Sequence, residues 1–147
     1  MLKGKLIHPQ ILGALGRGGH NSRVLISDGN YPHYTKRGPN AEMVYLNLAP
    51  GVLNVTDVLK VLAEAIPIEL ATVMDTNKTG PYAMTEDPPI WAEFRIILDR
   101  AGCTEPFKKL MPLDFYAAAG SPDVVLAIAT AEQRIYSNLL LTVGVVR

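Results

Sequence analysis

Apolar residues recur along this chain at helical spacing in some stretches and in unbroken runs in others, and the alternation of the two predicts a single α/β domain over residues 1–147. Pro9 suits a first helical position, and Ile11, Leu12 and Leu15 make one apolar stripe. Gly18-Gly19 closes that helix. Arg23 to Ser27 reads as a short buried strand and Met43 to Leu48 as a second. A Pro-Gly turn then leads to Thr56, the expected N-cap of a helix over Asp57 to Ile66. Pro67 ends that helix, and Ile68 to Met74 is apolar enough for a strand covered on both faces, so a strand, helix, strand unit is expected.

Residues 75–87 turn to Thr, Asn, Gly and Pro, and a loop of that length is usually functional or packed on a neighbour. Pro88 begins a helix carrying Ile90, Phe94, Ile97, Leu98 and Ala101 on one face, which Gly102 terminates. Thr104 is the expected start of a shorter helix. Phe115 to Ala119 reads as helical, Val124 to Ile128 as a strand, and Asn138 to Val146 as an extended tail.

Composition narrows the function. Hydrophobic residues make up 48% of the chain and charged ones 19%, less charge than an average soluble domain, which hints at surface buried between subunits. Fourteen basic and fourteen acidic residues cancel, so no positive field favours nucleic acid or anionic lipid. No apolar run approaches the roughly 20 residues that span a bilayer, and the amino terminus lacks a signal-peptide pattern. A cytoplasmic protein is expected. The lone Cys103 suits a reducing compartment and reads as a small buried residue after a helix end.

Several common chemistries lack their residues. The glycines of Gly13 to Gly19 close a helix and lead into a strand, the reverse of a dinucleotide fingerprint, and there is no phosphate loop or nucleophile elbow. His8, His20 and His33 lack ligand spacing, so no metal and no cofactor are expected. What remains is Gly19-His20-Asn-Ser-Arg-Val-Leu-Ile-Ser-Asp28-Gly-Asn-Tyr-Pro32, with a histidine just before a strand and a carboxylate just after it. An acid at the carboxyl end of a strand opens onto the usual binding crevice of α/β folds. Near the other end, Tyr136-Ser137-Asn138 precedes an apolar run. In an extended segment Tyr136 and Asn138 share one side, a donor and acceptor surface suited to sugar hydroxyls. Alone, His20 and Asp28 read more readily as turn residues, and for Tyr136 and Asn138 a core and a turn role fit as well as a sugar contact.

Together, Gly-His-x-x-x-x-Leu-Ile-x-Asp-x-x-x-Pro and Glu-x-x-x-Tyr-x-Asn-x-Leu-Leu-x-x-Gly-Val resemble the ribose pyranase and fucose mutarotase family over essentially the whole chain, and Phe115-Tyr116 is closer to the fucose branch. The resemblance implies a three-layer-like sheet with flanking helices and a homo-oligomeric ring, commonly a decamer, with sites near subunit contacts. It also implies that free monosaccharide ring forms are interconverted. His20 would be the proton donor, Asp28 a substrate-binding carboxylate, and Tyr136, Ser137, Asn138 and Tyr116 further sugar contacts. An imidazole, with an ordinary pKa of about 6.5, gives and takes protons at neutral pH, as opening and reclosing a hemiacetal requires. Asn21-Ser22 and Met111-Pro112 depart from the family pattern, the latter where a basic side chain is expected; Lys108, Lys109 and Arg37 are the cations available. Alternatives are a D-ribose pyranase, a non-catalytic sugar-binding protein linked to transport, and a structural ring with a degenerate site. Trp91 and Tyr82 are candidates to stack on a sugar face, though Trp91 lies beside an apolar stripe that favours a core role and Tyr82 is a loop aromatic with no assigned place.

Overall fold

The apolar runs become strands of one mixed sheet in a computed structural model that describes all 147 residues. The strands are β1 (Arg23–Ser27), β2 (Glu42–Tyr45), β3 (Ile68–Met74), β4 (Lys108–Leu110), β5 (Val124–Ala129) and β6 (Leu139–Val143), in the order β2-β5-β1-β6-β3-β4. Paired neighbours are parallel except at β6, which runs antiparallel to both β1 and β3.

Helices cover both faces. Alternation along β1 sends Val24 and Ile26 to one side, where they join Ile11 and Ala14 of α1 (Pro9–Arg17), Leu59 and Leu62 of α2 (Val55–Leu62), and Phe94 and Leu98 of α3 (Ile90–Arg100) in the larger core. Leu25 points to the other side, where it joins Leu140, Ala127 and Met74 under Phe115 and Ala119 of α4 (Pro112–Ala119). The expected three layers are present. No helix is long and apolar enough to cross a membrane.

Three local expectations are corrected. No helix starts at Thr104: Pro106 removes a backbone donor and disfavours helical geometry at Glu105, and Lys108–Leu110 instead pairs with Thr72, Val73 and Met74 as an edge strand. The helix after β2 begins earlier, because Asn54 is its N-cap and donates its N–H to the Asp57 carboxylate at 2.9 Å, leaving Thr56 inside the first turn. The expected strand over Met43 to Leu48 stops at Tyr45, since the Leu48 N–H turns back to the Val52 carbonyl at 2.8 Å. The unit formed by β2, α2 and β3 exists, but β5, β1 and β6 lie between its two strands in the sheet.

Sheet polarity positions the site. The carboxyl ends of β1, β3 and β4 open on one edge, and because β6 is reversed, its amino end opens there too. Asp28, the loop after Met74, α4 and the segment Tyr136-Ser137-Asn138 therefore converge.

Candidate active site

Asp28 leaves β1 at this edge and is 2% exposed. Its carboxylate is held by donors from both ends of the chain. Oδ1 accepts from the Asn30 N–H at 3.0 Å, while Oδ2 accepts from the Ser137 N–H at 3.3 Å and the Asn138 side-chain amide at 3.1 Å. The Asn138 carbonyl oxygen in turn accepts from the Asp28 N–H at 2.8 Å. Residues 110 positions apart are thus tied into one reciprocal pair. Burial pushes the Asp28 carboxyl up to about 6 from its ordinary 3.8, against the pull of its backbone donors, with Glu132 adding to the rise. The Asn138 amide has a second N–H that is not used on Asp28.

Beside this pair lies a pocket of about 370 Å³, lined by Asp28, Tyr31, Tyr82, Tyr116, Tyr136 and Asn138 together with Met74, Pro112 and Ile135. Its mix of aromatic walls with a carboxylate and an amide is what a small polyhydroxylated ring needs. A comparable cleft of about 390 Å³ runs along Leu48 to Pro50 and Thr130 to Gln133, sharing Asn30. Glu132 lines that second cleft, but its carboxylate is taken up by Arg134, whereas the first holds Asp28, which pairs with no cation, and is the candidate site.

Tyr136 and Asn138 both line the pocket, but not because the segment is extended. Tyr136 has φ of 56°, a left-handed conformation, and lies outside β6. Its hydroxyl donates to the Tyr82 carbonyl at 2.9 Å and accepts from the Asn77 N–H at 3.1 Å. The phenol's only proton is therefore engaged in fastening the 75–87 loop, and its ring forms a wall. Ser137 is fully buried and meets Asp28 through its backbone N–H.

The remaining candidates separate. Tyr116 stands in the wall, edge-on to Tyr31 at 5.4 Å between ring centres, with Lys36 Nζ 5.8 Å from its own ring centre. Lys109 is directed away, to the Trp91 ring at 4.9 Å and to Asp87 at 2.9 Å, and neither Lys108 nor Arg37 lines the pocket. His20 sits at the opposite end of β1, half exposed, its Nε2 3.1 Å from a Glu69 carboxylate oxygen. Five strand residues, about 16 Å at the usual rise, lie between it and the Asp28 edge, so one chain does not bring the two together. His33 is nearer: Ser27 Oγ and His33 Nδ1 are 2.8 Å apart, and burial lowers the imidazole's pKa. It packs beside Tyr31 but does not line the pocket.

Tyr31 was not singled out from the sequence. It is 4% exposed, edge-on to Phe115 at 6.3 Å, and its buried hydroxyl oxygen has no hydrogen-bond partner in the protein. Burial, then Tyr116 and Asp28, drive its phenol further above the ordinary range. Its place directly after Asp28-Gly29-Asn30 was the available signal. In the neighbouring cleft, the buried Glu132 accepts from Arg134 Nε at 3.0 Å and Nη2 at 2.9 Å, and Arg134 also meets Glu93. Burial alone would raise the Glu132 carboxyl, but the guanidinium outweighs it and holds it below the usual range.

The family model described as the RbsD / FucU transport protein family matches residues 1–146. The chain belongs to that family. Among its relatives, the fucose mutarotase of Homo sapiens is 30% identical over 152 residues, spanning 95% of this chain and 90% of its own. The crystal structure of the fucose mutarotase from Streptococcus pneumoniae in complex with L-fucose superposes with a TM-score of 0.81, at 23% identity over 99% of this chain and 100% of its own. Bacillus subtilis RbsD complexed with D-ribose superposes at 0.75, with 22% identity over the full length of both chains. At those identities the two structures establish the shared fold of this family member.

Proposed function

We propose that the protein is a monosaccharide mutarotase that exchanges the anomers of L-fucose or a related sugar by general acid/base catalysis. The observation that carries this reading is the Asp28 and Asn138 pair at the base of an aromatic-walled pocket, in a chain similar throughout to fucose mutarotases. The Asp28 carboxylate and the second Asn138 N–H bind sugar hydroxyls, and Tyr116 and Tyr136 enclose the ring. Opening the ring delivers a proton to the ring oxygen as the anomeric hydroxyl loses one; the ring C–O bond breaks and the anomeric carbon becomes an aldehyde. Rotation and reclosure return both protons and give either anomer.

His20 is the proposed proton donor, supplied by a neighbouring copy because its own pocket lies across the sheet. This places the site between subunits of a homo-oligomeric ring, of which a decamer is the proposed form, in the cytoplasm. Saturation-transfer NMR on L-fucose, D-ribose and other common sugars tests the activity, and exchange no faster than buffer for every sugar refutes it. Faster exchange between D-ribose pyranose and furanose forms than between fucose anomers would assign a ribose pyranase instead. Tight binding without acceleration would assign a sugar-binding protein. The shared site has its own test. His20→Ala and Asp28→Ala chains, each inactive, recover about a quarter of wild-type activity when co-expressed, if each site draws the two residues from different copies at random. Mixtures that stay inactive, beside a wild type that works, place both residues in one chain's site.

A further inference from the structure

Trp91, the only tryptophan, is on α3, is 3% exposed, and takes no part in the pocket wall. Its indole N–H donates to the carbonyl of Tyr136 at 3.1 Å in a buried setting. That carbonyl belongs to the residue at φ of 56°, a conformation that a bulky side chain seldom adopts without support. The residue that follows sends its N–H to Asp28 Oδ2, and the next donates its side-chain amide to the same oxygen while accepting from the Asp28 backbone N–H. Tyr136 also fastens the 75–87 loop through its hydroxyl. One indole bond therefore stands under two sets of contacts, the sugar-facing pair and the loop over it. The ring is itself fixed, edge-on to Phe107 at 6.2 Å and beneath Lys109 Nζ, which bonds Asp87 at the far end of that same loop.

We propose that Trp91 is a positioning residue of the sugar site, its indole N–H holding Tyr136 in the left-handed turn that aims Ser137 and Asn138 at Asp28. This rests on the reading of the Asp28 pocket as the place where sugar binds. The role belongs to the N–H, which the hydrophobic bulk of the side chain does not provide. A ring of the same shape without that proton should fold and fail to position.

Because the chain has one tryptophan, the experiment can be made nearly isosteric: biosynthetic replacement by β-(3-benzothienyl)alanine, which puts sulfur where the N–H stood, alongside Trp91→Phe. In the folded protein the Ser137 amide and the Asp28 carboxyl are followed by NMR during a pH titration. Loss of the Ser137 donor removes a contact that holds Asp28 down, so its midpoint rises above that of the wild type, and the Ser137 amide moves toward solvent-like exchange. Sugar exchange falls about tenfold in kcat/KM, the scale of one lost buried hydrogen bond. An unchanged midpoint and amide in both replacements overturns the proposal. A wild type that accelerates no sugar defeats the mutarotase reading alone, because the amide and carboxyl signals report on Trp91 without substrate.

Discussion

Replacing Asn138 with Asp tests the physical basis of the site. The exchange keeps shape but sets a second carboxyl against Asp28 where an amide N–H stood at 3.1 Å. In the wild type, burial lifts Asp28 from 3.8 to about 6, so the native state holds that proton more tightly than the unfolded chain does. The resulting stability is fully present below about pH 4 and is lost as pH rises through about 6, a change of about 3 kcal/mol at 1.36 kcal/mol per pH unit. In Asn138→Asp the two buried carboxyls share one proton at pH 5, and the protonated partner still donates to the other, so the variant is expected to lose about 1 kcal/mol there. At pH 8 the unfolded chain carries both as carboxylates, so the native pair must either ionise fully or hold one proton against the solvent. Two charges some 4 Å apart repel by about 4 kcal/mol at an effective dielectric of 20, so the loss should grow to about 4 kcal/mol. Urea unfolding of both proteins at pH 5 and pH 8, at fixed subunit concentration, reads the difference directly. A penalty equal at the two pH values, or a variant as stable as wild type at pH 8, would refute the buried pairing.

Other expectations follow from the same packing. Tyr31→Phe removes a buried hydroxyl without a partner and should stabilise the protein by about 1 kcal/mol in the same urea assay; a loss would mean the oxygen is satisfied. Phe115→Ala empties a fully buried position that Tyr31 leans on, and should cost about 3 to 5 kcal/mol and weaken sugar binding measured by calorimetry. At Gly38 an added Cβ would lie 2.5 Å from the Ser121 carbonyl oxygen, so Gly38→Ala should cost about 1 to 3 kcal/mol, seen as a lowered unfolding midpoint.

Much of this was legible in one dimension because the signals are local. The apolar runs at Arg23–Ser27 and Ile68–Met74 have no periodicity but strand, and Pro9 and Gly18 bracket α1 by fixed backbone chemistry. The three-residue strand β4 was illegible, since Lys108-Lys109-Leu110 has no strand pattern of its own and is ordered by pairing with β3. In the site, Asp28 and Asn138 stood out by type and place, and the sheet joins them. The left-handed turn at Tyr136 was hidden, because nothing in Ile-Tyr-Ser-Asn announces a positive φ; it is held by contacts from Trp91 on α3 and from Asp28 just after β1, distant in sequence. His20 shows the limit of linear spacing: a strand with polar residues at both ends displays them at opposite edges, so a single chain holds His20 and Asp28 apart.

The reversed strand has a bearing on biosynthesis. Until residues 139–143 slot between β1 and β3, those two strands have no shared neighbour, and the centre of the sheet stays open. A ribosome-bound chain would already carry Asp28 and the loop that will shelter it, yet neither the Ser137 and Asn138 donors of the one nor the Tyr136 hydroxyl that fastens the other. Capacity to hold a ligand therefore arrives last, in the same closure that completes the hydrophobic interior, so a nascent or clipped polypeptide lacking this piece should be both inactive and prone to associate through its exposed edges.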